Sequence, residues 1–223
     1  MSNPELRPQI AVVDYDMGNL HSVCKGLEQV GATPVITDQY DQLQAAAAVI
    51  LPGVGAFDPA IQRLRAHDLI QPLRDVAASG KPFLGICLGL QILCDGSEEG
   101  NEIGLGILPG WVRRFQSEPG LTIPHMGWNT LQFTQPDCPL WQHLSAQAAA
   151  PAWAYFVHTY YVEPTDSTVI AATVTHGQQC VTAAVAQGNL MATQFHPEKS
   201  SQTGLQILAN FVEFVRQQQP VLV

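Results

Sequence analysis

Short apolar runs alternate with helical patterns from Gln9 to Cys94, and this alternation leaves few folds open. QIAVVDY (Gln9–Tyr15), TPVIT (Thr33–Thr37), AAAAVILPG (Ala45–Gly53) and GKPFLGI (Gly80–Ile86) read as strands. Between the first two, Leu20, Val23, Leu27 and Val30 recur at helical spacing and Gly31 reads as the stop. VGAFDPAIQRL opens a helix after Pro52-Gly53, and LGLQILC starts another after Cys87. Strand–helix–strand order predicts a mostly parallel central sheet with helices on both faces, an α/β fold. The strands are apolar throughout, as strands buried on both faces must be.

The second half changes character. Gly104 to Thr134 is rich in Gly, Pro and Trp, with short strand-like pieces such as WVRRF and NTLQF. AYFVHTYYV (Ala154–Val162), TVIAATVTHG, QCVTAAVAQG and LMATQFHPE follow, each punctuated by Gly or Pro, and predict an antiparallel portion with hairpins. TGLQILANFVEFVRQQQ predicts an amphipathic helix with Leu205, Leu208, Phe211, Val212 and Val215 on one face. No repeat, low-complexity tract or linker divides the chain. One domain over residues 1–223 is expected, with its catalytic region at about 9–218.

Composition narrows the function. Hydrophobic residues make up 46% of the 223 and charged ones 13%, enough apolar surface for a core. The net charge is −9 and no Lys/Arg run occurs, which argues against nucleic-acid binding. Polar residues and glycines interrupt every apolar run, so no membrane span is expected. MSNPELRPQIAVVDY lacks the basic-then-apolar order of a secretory signal, and a cytoplasmic location is expected. Cys24, Cys87, Cys94, Cys138 and Cys180 form no CxxC pair, which speaks against a disulfide framework or a structural zinc site.

One cysteine is marked out. Gly85-Ile86-Cys87-Leu88-Gly89 has the small-x-nucleophile-x-small form of a nucleophile elbow, with a strand before it and a helix after. A nucleophile held in a sharp strand-to-helix turn is strained, and side chains two residues away would clash. A helix N-terminus favours a thiolate, and the N–H of Leu88 is free to face a developing oxyanion. The competing reading is that both glycines only allow close helix–sheet packing.

A thiol nucleophile needs a base and a group to orient it. In ATQFHPEKS, Leu190, Ala192, Gln194 and His196 alternate along one face of a strand that Pro197 ends. Preceding a proline keeps His196 extended, so that Glu198 projects to the same side and can hold the imidazole. That is a Cys–His–Glu triad. The alternative is a strand-end histidine beside a solvated carboxylate. In LPGVGAF (Leu51–Phe57) glycines again follow a strand, so amides near Gly53 and Val54 could complete an oxyanion hole. An ordinary strand–helix turn explains that loop equally well.

Together these pieces resemble the class I glutamine amidotransferases. Gly85, Cys87, Gly89 and Gln91 match the family's elbow, and His196, Pro197 and Glu198 its closing motif. DYDMGNLHSV, LPGVGAF, PHMGWN, YFVHTYY and HPEKSS further resemble the glutaminase subunits of imidazole-glycerol-phosphate synthases. The resemblance implies a subunit that hydrolyses glutamine to glutamate and ammonia. The ammonia would pass to a (βα)₈-barrel cyclase partner in a heterodimer of histidine biosynthesis, with no metal or organic cofactor. It implies that Gln91, Glu99, His158, Thr159 and Tyr160 hold glutamine, and that His125, Trp128, Asn129, Tyr155 and Lys199 face the cyclase. Two departures stand out: Asp16, where the family usually has a small residue, and a Gln/Ala-rich stretch at 146–150.

Other readings stay open on the residues alone. His158 could be a satisfied core histidine, Glu99 a plain surface charge, and Trp128 a buried core aromatic. A cysteine peptidase or other thiol hydrolase on this fold, a catalytically dead binding protein, and a glutaminase serving another synthase, such as pyridoxal-phosphate synthase, are the competing functions.

Overall fold

The structure is a computed structural model describing residues 7–144 and 151–219; the Gln/Ala-rich stretch at 146–150 lies outside them. Four parallel strands open the chain: β1 (Gln9–Val13), β2 (Thr33–Thr37), β3 (Ala48–Gly53) and β4 (Phe83–Cys87). Helix α1 (Leu20–Gln29) joins the first two, and Gly31, at φ +84, turns the chain out of it. A short α2 (Tyr40–Ala45) precedes β3, and two helices, α3 (Phe57–Ala66) and α4 (Ile70–Ala78), lie between β3 and β4. The sequence reading missed α2 and α4. Both are short and carry only one or two fully buried side chains each, too few for a helical period to stand out.

Alternate residues of β1 point to opposite faces, and both faces are covered. Ile10 and Val12 pack with α1 and the C-terminal helix α6 (Ser201–Gln218). Ala11 and Val13 pack with α3 and α4. This is why these strands are apolar throughout. In α6 the buried stripe runs through Ile207, Leu208, Phe211, Val212 and Val215, while Leu205 is only partly covered.

The later strands extend the same sheet instead of building a second one. Its eight strands run in the order β2-β1-β3-β4-β13-β12-β11-β8. β11 (Ile170–His176), β12 (Gln179–Gln187) and β13 (Leu190–Thr193) are antiparallel to one another, and short β8 (Gln132–Phe133) edges them. β13 then lies parallel to β4, with Thr193 beside Ile86. Two small sheets flank this one: β5 (Gly96–Ser97) and β6 (Gly110–Arg114) with β10 (Tyr160–Pro164), and β7 (His125–Thr130) paired antiparallel with β9 (Trp153–His158). Among the described residues no helix is long and apolar enough to cross a membrane.

Candidate active site

Sheet order assembles the site. β4 lies between β3 and β13, all three parallel, so their carboxyl ends open on one side of the sheet. Register sets Gly53 beside Cys87. The chain beyond Thr193 delivers Gln194 and His196 to the same edge. A pocket of about 330 Å³ gathers Val54, Cys87, Leu88, Gln91, Glu99, His158, Thr159, Tyr160 and His196.

Cys87 adopts φ +56, ψ −109, a left-handed strain that costs a non-glycine residue on the order of 1–3 kcal/mol. A sharp, strained strand-to-helix turn is thus present at Cys87, and tight packing accompanies it. A Cβ on Gly89 would lie 1.9 Å from the Leu51 carbonyl oxygen, and one on Gly85 3.0 Å from Ala192 Cβ. The helix that follows, α5 (Leu88–Gln91), has only four residues. Its macrodipole is correspondingly small, so the support expected from a full helix reduces to local N–H groups such as that of Leu88, which has no intrahelical acceptor.

His196 is extended at φ −98, ψ 99, as the following proline requires, though β13 has ended three residues earlier. Its Nδ1 donates to Glu198 Oε1 at 2.8 Å, and these side chains are only 3% and 1% exposed. Burial pushes the imidazole pKa down. Hydrogen bonds to Cys87 and to Glu198, with the charges on both, overcome this and hold it at about 10. The His196 turn is tied to β9: its N–H donates to the Tyr155 carbonyl at 3.1 Å, and Ser200 Oγ donates to the His196 carbonyl at 2.6 Å.

Three contributors escaped the sequence reading. Gln194, fully buried, accepts from Gln91 Nε2 at 3.1 Å and turns its own amide N–H to Cys87 Sγ at 3.8 Å. Buried Tyr15 donates to the Pro52 carbonyl at 2.9 Å, beneath the Gly53 turn. The Met17 carbonyl accepts the Val54 N–H at 3.3 Å, so this candidate oxyanion donor is engaged outside the pocket. A buried glutamine two residues before His196 was the one available signal; main-chain partners leave none.

The Met17 loop is itself anchored. Asp16 sits at φ +65, a conformation that glycine tolerates freely and Asp better than most residues. Its carboxylate accepts from His67 Nε2 at 3.0 Å and Arg63 at 3.3 Å.

The remaining expected residues divide. Gln91 also donates to the Tyr160 carbonyl at 3.1 Å, and Glu99 Oε2 accepts the Phe57 N–H at the start of α3, so Glu99 is no plain surface charge. Trp128 is 51% exposed on β7, next to 63%-exposed Met126, and its ring meets Tyr155 edge-on. Lys199 is exposed and Asn129 partly so. His125 breaks the pattern. It is 4% exposed, because period-two alternation along β7 turns it inward when Met126 and Trp128 turn out. The expectation that it faces a partner is therefore corrected. Among the described residues no group of His, Cys, Asp or Glu has metal-site geometry.

Known proteins resemble this chain in sequence and in fold. The model of the glutamine amidotransferase class-I family matches residues 11–214. The imidazole glycerol phosphate synthase subunit HisH of Acaryochloris marina is 67% identical over 94% of this chain and 96% of that protein. That of Trichodesmium erythraeum is 68% identical over 92% and 94%. In structure the chain resembles PurLQS from Thermotoga maritima, with a TM-score of 0.71 at 21% identity over 94% of this chain and 99% of that one. It also resembles the glutaminase domain of Trypanosoma brucei CTPS, with a TM-score of 0.67 at 18% identity over 97% and 96%. The chain belongs to the class-I glutamine amidotransferase family, on the branch of the imidazole glycerol phosphate synthase HisH subunits.

Proposed function

We infer that this chain hydrolyses glutamine and hands the ammonia to a cyclase in histidine biosynthesis. The observation that carries it is the strained thiol of Cys87 facing a buried imidazole that Glu198 orients, in a chain two-thirds identical to HisH subunits. Cys87, whose thiol proton already rests on His196, attacks the side-chain carbonyl of glutamine. His196 returns that proton to departing ammonia, and water then releases glutamate from the thioester. The N–H of Leu88 and an N–H of the Gly53–Val54 turn hold the oxyanion. Gln91, Glu99 and the main chain of His158, Thr159 and Tyr160 grip the amino-acid end of glutamine.

The chain works as one cytoplasmic domain beside a (βα)₈-barrel cyclase. The ammonia meets a phosphoribulosyl-formimino intermediate there, giving imidazole-glycerol phosphate and an aminoimidazole-carboxamide ribotide. The outer face of β7 and β9, with Met126, Trp128 and Tyr155, is the docking surface, and Asn129 and Lys199 border it. Trp128→Ala is expected to weaken cyclase binding roughly 30- to 100-fold, because large exposed aromatics anchor interfaces. A titration showing affinity within twofold of the parent removes Trp128 from the interface.

The Met17 hold on Val54 suits a subunit that is silent until its partner engages substrate. The Gly53–Val54 peptide must rotate to supply its N–H. Gly53 does not lie in the left-handed region, so its requirement in this state is steric: a Cβ would meet Tyr15 Oη at 2.5 Å and Gly89 N at 2.9 Å. Gly53→Ala is therefore expected to change basal and stimulated rates by different factors. Equal scaling of both would mean the turn does not rotate. The function itself is tested by mixing the chain with a barrel cyclase: glutamine hydrolysis rises when the cyclase's ligand is added. Peptide cleavage with glutamine untouched would instead establish a thiol peptidase.

A further inference from the structure

The inner face of β7 begins a series of hydrogen bonds that ends at the pocket wall. The amide of Asn129 has its orientation set by main-chain groups: Oδ1 accepts the Thr130 N–H at 2.8 Å, and Nδ2 donates to the Thr175 carbonyl at 2.8 Å. The other N–H of Nδ2 meets His125 Nε2 at 3.2 Å, so that nitrogen must accept. His125 therefore carries its proton on Nδ1, which lies 3.0 Å from His158 Nε2. His158 Nδ1 donates in turn to the Tyr160 carbonyl at 2.8 Å, and a carbonyl can only accept. Main-chain groups at both ends thus impose one direction and one neutral tautomer on each ring. Gln91 donates to the same Tyr160 carbonyl at 3.1 Å. His125 is clamped between Phe156, at 4.8 Å and 22°, and His176, at 4.2 Å and 24°.

We propose that Asn129 and His125 are positioning residues for glutamine binding, acting through His158 to set the Tyr160 carbonyl and the main chain of the pocket wall. This rests on the glutaminase reading above. The two residues touch neither Cys87 nor His196, so their effect falls on substrate binding and not on the chemical step. Their strand carries Trp128 on its other face, so a shift of β7 on docking reaches the pocket wall without passing through the triad.

Neutrality is the condition for the series. A second proton on either ring would set N–H against N–H. Burial, then the neighbouring His176, pushes His125 down to about 4. Burial pushes His158 down to about 3 against the pull of the Tyr160 carbonyl, helped by His125, His176 and His196.

In the complex with cyclase and its ligand, Asn129→Ala and His125→Ala should each raise the KM for glutamine about tenfold and leave kcat within about threefold, the loss of one buried hydrogen bond. Asn129→Asp can only accept, so it should draw a proton onto His125 Nε2 while keeping the Nδ1–H donation to His158, and raise KM less than Asn129→Ala. The free wild-type chain should show, by nitrogen NMR, both rings as Nδ1–H tautomers from pH 8 to pH 5. With Asn129→Asp, His125 should become imidazolium at neutral pH. An Nε2–H tautomer or a titration near pH 6.5 in the wild type overturns the proposal, as does an unchanged KM in Asn129→Ala or a loss confined to kcat. If the wild-type complex leaves glutamine intact the glutaminase reading fails, while the NMR result still decides the series.

Discussion

Cys87→Ala is expected to end ammonia release from glutamine, with kcat falling by a factor on the order of 10⁴ to 10⁶, as for nucleophiles of other triads. Ammonia supplied directly should still sustain product formation by the cyclase. The fold should survive. Alanine accepts φ +56 no less readily than cysteine, and the side chain lost is small. The same substitution changes the pH response of His196. Its imidazole stands at about 10 against burial because Cys87 and Glu198 both favour the charged ring. A base raised above its unfolded value near 6.5 contributes stability that is complete below that pH and is lost as pH rises through the folded pKa. Without Cys87 only Glu198 opposes burial, so the alkaline limit moves to lower pH. Imidazole NMR across pH 6–11 checks the shift. An unchanged midpoint would show that Cys87 does not govern the ring, and persistent glutamine hydrolysis would remove it as the nucleophile.

Gly89→Ala should be among the costliest single-methyl changes in the chain's core. The added Cβ would lie 1.9 Å from the Leu51 carbonyl oxygen and 3.0 Å from its carbon. Both belong to the main chain of β3, at the centre of the sheet, and cannot yield as a side chain tip could. Relief requires β3 or the elbow to move, at a cost above about 3 kcal/mol. For a chain of this size that lowers Tm by roughly 10 °C or prevents folding. Gly80→Ala is the control. Gly80 has φ +76 but nothing within 4 Å of the added Cβ, so only about 1–2 kcal/mol of backbone strain is expected. Denaturant melts of the two variants decide it: equal losses would mean the contact at Leu51 relaxes freely.

Much of the fold was legible because local pattern carries it. Unbroken apolar runs in β1, β3 and β4 report burial on both faces, and Gly31 reports the end of α1. The elbow was legible because backbone strain at one residue demands small neighbours, and the His196 turn because proline restricts the residue before it. α2, α4 and the brevity of α5 were not legible. A helix of four to nine residues shows too little of its period. The inward turn of His125 could not be read either, since a strand's faces exchange with a one-residue shift in register.

What the sequence alone determined is which residues are candidates for the chemistry at the elbow and the His196 turn, since propensity, punctuation and strain act within a few residues. Tertiary structure alone decided their meeting. Insertion of β13 beside β4 brings His196 to Cys87, the Met17 carbonyl engages the Val54 N–H outside the pocket, and main-chain groups at both ends orient the Asn129–His125–His158 series. Those outcomes depend on pairing between segments far apart in the chain. The free energy that selects such pairing comes from packing the whole sheet and both its covering layers at once, which no short stretch contains.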